Sequence, residues 1–246
     1  MNVKKILSLV ASTIKLFIII LLFSSNSKAE ENNIKYYSDD KGILSLMYHR
    51  FNENKYPSTN IQMDIFKKQI KIIKDLKYNF YDPKDLIKEF PIAKREKKIL
   101  ITIDDAFSSF YEFAWPYLKE EKIPFILFIS TEAVGRNGYM TWNQIKELEK
   151  ETTVHIGNHS HTHKYLVDFE NKNFMDDIDT SSIIFVEQLG YNPIFFSYPF
   201  GEYSSLVKKY ISKNFRFSFG QHSGVIDINK DPHELPRFPI NEKYGD

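Results

Sequence analysis

Short apolar runs of strand length alternate with segments of helical periodicity along nearly the whole chain, and this alternation restricts the fold more than any other feature. Ile43 to Tyr48 (ILSLMY) is the first run, after which Phe66, Ile70, Ile73 and Leu76 recur at helical spacing. Residues 98–104 (KILITID), 125–130 (FILFIS), 153–157 (TVHIG) and 194–198 (IFFSY) read as further strands. Between and after them, residues 109–121, 141–150, 174–189 and 205–213 read as helices, with Pro116 perturbing the first and Thr141 placed to cap the second. Strands that alternate with helices imply a single α/β domain around a mostly parallel sheet, open or closed into a barrel.

The first residues stand apart from this pattern. Lys4 and Lys5 precede an apolar stretch at residues 16–23 (LFIIILLF), and Ser27 and Ala29 are small residues of the kind read by a signal peptidase. Residues 1–29 are therefore expected to be a secretory signal peptide, or an N-terminal anchor if they are retained. Lys15 shortens the apolar run below the roughly 20 residues that span a bilayer comfortably. Residues 30–42 are expected to form a polar lead-in, and 43–246 the one folded domain. The expected location is exported, periplasmic or extracellular, with membrane contact only through an uncleaved leader.

Charge and cysteine content narrow the function. The chain has 33 basic and 32 acidic residues, and the leader holds four lysines and no acid, so the remainder is slightly acidic. Nucleic acid is not an expected partner. Cysteine is absent, which suits an exported chain whose core is large enough to fold without disulfides. It also leaves oxygen and imidazole as the only ligands for a metal, which fits an open catalytic site better than a closed structural one.

Polar residues gather just after the strands, where α/β folds carry their chemistry. Asp104 and Asp105 close the strand from residue 98; along a strand, neighbouring side chains leave in opposite directions, so the pair cannot share one task. One can coordinate a cation while the other serves as a base, its basicity tuned toward working pH by desolvation. The plainer alternative is that the pair starts a turn and caps the next helix. His159 and His163, in "IGNHSHTH", are four apart and can reach one ion if the segment turns helically. With one carboxylate they form a face that admits zinc, iron, cobalt, manganese or nickel. Ser160 and Thr162 can orient the imidazoles, His161 points to solvent or the rim, and His155 is a structural residue inside its strand. No GxSxG elbow frames a serine nucleophile.

In order, "LMYHR", "LITIDDAF", "IGNHSHTH", "FSYPFGEY" and "LPRFPI" resemble the polysaccharide deacetylase family with the NodB homology domain, the family-four carbohydrate esterases. The likeness runs from about Ile43 to the C-terminus and is strongest toward the exported poly-N-acetylglucosamine branch. It implies a distorted parallel (β/α) barrel, an acetylated polysaccharide as substrate, and one divalent metal ion, zinc first, with cobalt, nickel, iron or manganese as alternatives. The family motif Thr-Phe-Asp-Asp-Gly stands here as Thr102, Ile103, Asp104, Asp105 and Ala106, which would make Asp104 the base and Asp105 a ligand. His-Ser/Thr-x-x-His is met by His159, Ser160, His161, Thr162 and His163, which would make His159 and His163 the other ligands. By match with the third motif, the backbone N–H of Phe200 would support the oxyanion.

Two positions depart from the family. Ser197 stands where the third motif has an arginine that orients the base, and Arg237 in "LPRFP" is the candidate replacement. The late Leu-x-His motif of the general acid is missing; His222 is the candidate, and "NEKYGD" closes no obvious element. His49 could line the pocket, and Trp142, Tyr203 and Tyr139 could stack on sugar rings. The competing expectations are a glycan-binding or assembly protein of the same fold that has lost turnover, and an O-acetyl esterase.

Overall fold

Alternate side chains of each central strand separate into two apolar clusters, and that separation builds the domain. In the computed structural model, which describes residues 42–86, 97–169, 173–227 and 229–244, β5 (Lys98–Ile103) sends Ile99, Ile101 and Ile103 into one cluster and Leu100 into another. β6 (Phe125–Ile129) does the same, with Phe125, Leu127 and Ile129 on one side and Ile126 and Phe128 on the other. The first cluster includes Phe66, Ile70 and Ile73 of α1 (Met63–Asp75), Trp115 and Leu118 of α2 (Trp115–Glu120) and Ile145 and Leu148 of α3 (Trp142–Glu149). It is the layer between sheet and helices. The second, with Phe195, Phe217, Phe219 and Leu235, is the interior on which the sheet curls.

β1 (Ile43–Tyr48), β5, β6, β7 (Val154–Asn158), β8 (Phe195–Ser197) and β9 (Phe217–Phe219) run parallel in that order. Short strands β2 (Arg50–Phe51) and β3 (Asn60–Ile61) pair with each other, and β4 (Asn79–Phe80) pairs with β5. β10 (Val225–Ile226) joins β1 antiparallel. The segment around β11 (Phe238–Pro239) reaches both edges: Leu235 bridges Phe219 beyond β9, and Phe238 and Pro239 pair with Leu46 and Met47 of β1. "LPRFP" thus closes the curled sheet, a role that its two-residue strand is too short to announce in sequence. Residues 1–29, and 30–41 of the lead-in, lie outside the described residues.

Helix starts follow local chemistry. Thr141 caps α3 through a reciprocal box with Gln144, as expected of a threonine ahead of an apolar periodicity. The helix expected over 109–121 divides in two: a π-turn at Phe110–Ala114, where the Trp115 N–H bonds Phe110 O, leads into α2 with Pro116 in its first turn. Proline lacks the N–H an interior position needs and is tolerated at a helix start, so the chain restarts the helix there. α4 (Asn173–Leu189) and α5 (Ser205–Asn214) match their periodicity.

Candidate active site

Even-numbered side chains of β5 face the barrel interior, so Leu100, Thr102 and Asp104 stack upward inside it, and Asp104 emerges fully buried at the mouth. Its N–H donates to Tyr48 O at 2.9 Å, tying the upper ends of β5 and β1 together. Asp105 then adopts φ 72 and Ala106 φ 53. These left-handed turns return the Asp105 carboxylate to the mouth instead of sending it to the helical layer.

On β7, Val154 and Ile156 join the helix-side cluster while Gly157 faces the barrel interior. A Cβ on Gly157 would lie 2.3 Å from the Phe128 ring, so only glycine lets this strand pass the core there. His159 continues the inward face, 1% exposed. Its Nδ1 lies 2.7 Å from Ser197 O. A carbonyl only accepts, so Nδ1 carries the proton and Nε2 keeps a free lone pair directed at the aspartates.

His159 Nε2 stands 3.6 Å from Asp105 Oδ1, His163 Nε2 3.2 Å from the same oxygen, and one ligand atom of each residue falls within 4.8 Å of the others. Ligands about 2.0–2.1 Å from a common tetrahedral ion stand roughly 3.3 Å apart, so the set fits a small divalent cation with an open position. Burial lowers the His159 imidazole to about 4, against the pull of Asp104, which keeps it neutral and able to coordinate near neutrality.

The loop that makes His159 and His163 meet is not helical, contrary to the expectation from their spacing. Ser160 (φ 68) and His163 (φ 55) are both left-handed, and the turn is held from outside. Asp177 on α4, 6% exposed, accepts from the backbone N–H of His161 and Thr162 and from the Thr162 hydroxyl. Asn158 Oδ1 accepts from Ser160 N, while Asn158 Nδ2 donates to Ser181, also on α4. The Ser160 hydroxyl accepts from His163 N. His161 makes a rim contact, Nδ1 to Thr131 Oγ1 at 2.8 Å. Asp177 and Ser181 sit on the buried face of α4 with Phe174, Ile178 and Phe185. Polar residues on that apolar stripe were the available signal, and sequence reading missed them.

Arg237 and Asp104 form a fully buried, two-pronged ion pair: Nη1 donates to Oδ1 at 2.6 Å and Nη2 to Oδ2 at 2.9 Å. Nη2 also donates to Ser197 Oγ at 2.7 Å, and Nε donates to Gly220 O at 2.9 Å. Burial pushes the Asp104 carboxyl up, but Arg237, then His159, outweigh it and hold it at about 2. The expected upward tuning of the free aspartate by desolvation does not occur, because a buried guanidinium compensates the charge.

The other sequence candidates divide. His49 follows β1 directly; its charge is near enough to lower Asp104, and its Nδ1 is buried without a hydrogen-bond partner among the described residues. His222 is exposed on the loop after Gly220, where its carbonyl accepts from Arg237 N, and it is not among the groups acting on Asp104. His49 thus follows the strand that pairs with β5, whose end carries Asp104, while His222 stands on the far side of Arg237 with its side chain exposed. Phe200 holds φ 59 and sets its ring edge-on to His163 at 4.7 Å. Trp142 packs edge-on against Phe185 between helices at 5.8 Å, and Tyr203 stacks on Tyr198 at 4.5 Å; both are partly buried against these neighbours. Tyr139 does face the site, bridging to Phe107 and acted on by Asp105. Asp105, Ala106, Ser160, His163 and Phe200 are five of the eight non-glycine residues with positive φ among those described. Such strain costs about 1–2 kcal/mol per residue and persists where the surroundings over-determine it.

Comparison with known proteins agrees in fold and family. A family model described as polysaccharide deacetylase matches residues 92–216. The poly-β-1,6-N-acetyl-D-glucosamine N-deacetylase of Staphylococcus epidermidis is 22% identical over 245 residues, covering 88% of this chain and 85% of the relative. Among solved structures, IcaB from Ammonifex degensii superimposes with a TM-score of 0.75 at 25% identity, covering 82% of this chain and 93% of that one. Streptococcus pyogenes deacetylase PplD, solved in complex with acetate, gives 0.72 at 24% identity over 81% and 92% of the two chains, a likeness of fold.

Proposed function

The chain belongs to the polysaccharide deacetylase family, and from that premise we propose that it removes N-acetyl groups from an exported N-acetylglucosamine polymer, with the β-1,6-linked one its first candidate substrate. The observation that carries this reading is the juxtaposition of two units: the Asp105, His159 and His163 donor set, and the Asp104 carboxylate clamped beside it by Arg237. The donor set would hold one divalent ion, zinc first, with cobalt, nickel, iron or manganese as alternatives. Bound there, the ion supplies Lewis acidity toward a water and the acetamide carbonyl.

The remaining steps belong to side chains. Asp104 is ionised throughout the neutral range and accepts the proton of the attacking water, whose oxygen joins the carbonyl carbon. Arg237 is a positioning residue: its fork fixes both carboxylate oxygens and occupies, from the closing segment, the place Ser197 leaves empty. The Phe200 N–H supports the oxyanion. His49 delivers a proton to the nitrogen as the C–N bond breaks, releasing acetate and a free amine. His49 Nδ1 has no hydrogen-bond partner among the described residues, and the residue follows β1, the strand paired with the one that ends in Asp104. The leader-like residues 1–29 support export to the periplasm or cell exterior, with membrane attachment only if they are retained.

The test is acetate release from β-1,4- and β-1,6-linked N-acetylglucosamine oligomers by the protein as purified, after chelation, and after return of zinc, cobalt or nickel. Metal-restored release is expected. Absence of release on either linkage from protein with metal bound would overturn the reading.

A further inference from the structure

Asp105 and the two histidines lie on segments that follow β5 and β7, and β6 stands between those strands. Among the described residues, no backbone hydrogen bond joins residues 105–108 to residues 158–163. Residues 130–140, which run from β6 toward α3, bond to both. At the near end, Ser130 Oγ donates to His159 O at 2.9 Å, Thr131 N to Ser160 O at 3.2 Å and Glu132 N to His161 O at 3.0 Å. Thr131 Oγ1 also lies 2.8 Å from His161 Nδ1. At the far end, Met140 N donates to Ala106 O and Ser108 N to Gly138 O, both at 2.9 Å. Phe107 bridges antiparallel to Tyr139 there, with their rings 4.9 Å apart.

We propose that residues 130–140 are a clasp that fixes the spacing between Asp105 and the His159 and His163 pair, with Thr131 a positioning residue for the metal. The inference rests on the metal-binding reading of that set. Left-handed backbone persists only where its neighbours over-determine it, and the clasp bonds the carbonyls of two such residues, Ala106 and Ser160. Asp177 shapes the histidine turn from α4, whereas the clasp spans both segments. Ser130 and Thr131 are buried, so the near end is built into the protein and not laid over it. Gly138 holds φ 86 with nothing within 4 Å of the place a Cβ would take, so its glycine is required by conformation and not by room. With the clasp loosened, the ion itself would have to draw the two segments together, at the expense of affinity.

The experiment measures zinc affinity of the full-length protein by competition with a chelator, and the visible spectrum of its cobalt form, with no substrate present. Thr131→Val keeps the side-chain shape and loses the hydroxyl. It is expected to weaken zinc binding about tenfold and to shift the cobalt absorption, while Thr131→Ser restores both. Gly138→Ala, at the other end, is expected to weaken zinc severalfold. Because the two ends act as one unit, the double variant should lose less than the product of the single losses. Losses that multiply in full would make the ends independent and overturn the clasp. So would a Thr131→Val protein whose metal-free form unfolds at lower urea while its zinc affinity is unchanged, since that residue would then be merely structural. Zinc binding indifferent to His159→Ala would sink the donor set and this inference with it; binding that needs His159 but ignores both Thr131 and Gly138 sinks the clasp alone. A protein that binds zinc in this pattern yet releases no acetate would retain the clasp and lose only the hydrolase reading.

Discussion

β7 carries a histidine near each end, and the two have opposite surroundings. His155, near the start, is half-buried and lies 3.0 Å from Asp82 Oδ1 in a contact that misses hydrogen-bond alignment; His159, just past the end, is sealed in the barrel mouth with Nδ1 bonded to a carbonyl. Burial lowers both imidazoles, so charge state does not separate them. The partner of the second nitrogen does. At the floor, His155 Nε2 meets a carboxylate that is itself held by Lys84. At the mouth, a carbonyl takes the His159 proton and leaves Nε2 beside Asp105 and His163. The same residue type becomes packing at one end of the strand and a member of the candidate metal-binding set at the other.

The largest effect that could break this contrast lies in the Asp104 and Arg237 pair. Asp104→Asn should retain metal and lower kcat by about 10²–10⁴-fold, the usual worth of a positioned base; near-parental turnover would remove Asp104 from the chemistry. Arg237→Ala leaves a buried carboxylate uncompensated and should lower unfolding free energy in urea by about 3–5 kcal/mol. At the floor, His155→Gln should change stability by less than about 1 kcal/mol and leave metal affinity intact, as expected for a half-buried contact of poor geometry.

A pH series on chelated protein sharpens the comparison. His159 has a folded value near 4 against about 6.5 unfolded, so the unfolded chain binds its proton first as pH falls. Stability should be constant from this group above about 6.5 and decline by roughly 3 kcal/mol as pH falls toward 4. His159→Gln should flatten that decline more than His155→Gln does; the reverse order would show that the floor histidine is the more strongly desolvated one. Smaller again, Asp177→Ala should weaken metal binding by about 10–100-fold, read by competition with a chelator, through loss of the three hydrogen bonds that shape the loop between His159 and His163.

The barrel and the donor set were largely legible in the residues. The alternating periodicity placed strands β1, β5, β6, β7 and β8 within one or two residues, because burial on both faces of a parallel sheet leaves continuous apolar runs. Asp104, Asp105, His159 and His163 stood out as polar residues directly after such runs. The His loop was misjudged as helical: its left-handed turns depend on Asp177 from α4, and a four-residue spacing does not reveal who supplies the hydrogen bonds. Trp142 and Tyr203 show a similar limit: an aromatic beside a loop carries no sign of whether it faces a pocket or a neighbour, and here each ring packs on another aromatic.

By itself the sequence determined which strands exist and which strand ends bear carboxylates and imidazoles, because residue type and hydrophobic period are properties of a short stretch of chain. Tertiary structure alone decided how those groups are used. Arg237 meets Asp104 across 133 positions only because the segment around β11 inserts between the sheet edges. His49, expected from sequence only to line the pocket, follows the strand next to the one that carries Asp104 because β1 pairs with β5. Such encounters are made by closure of the barrel, and a buried charge is stabilised only where that closure delivers its partner.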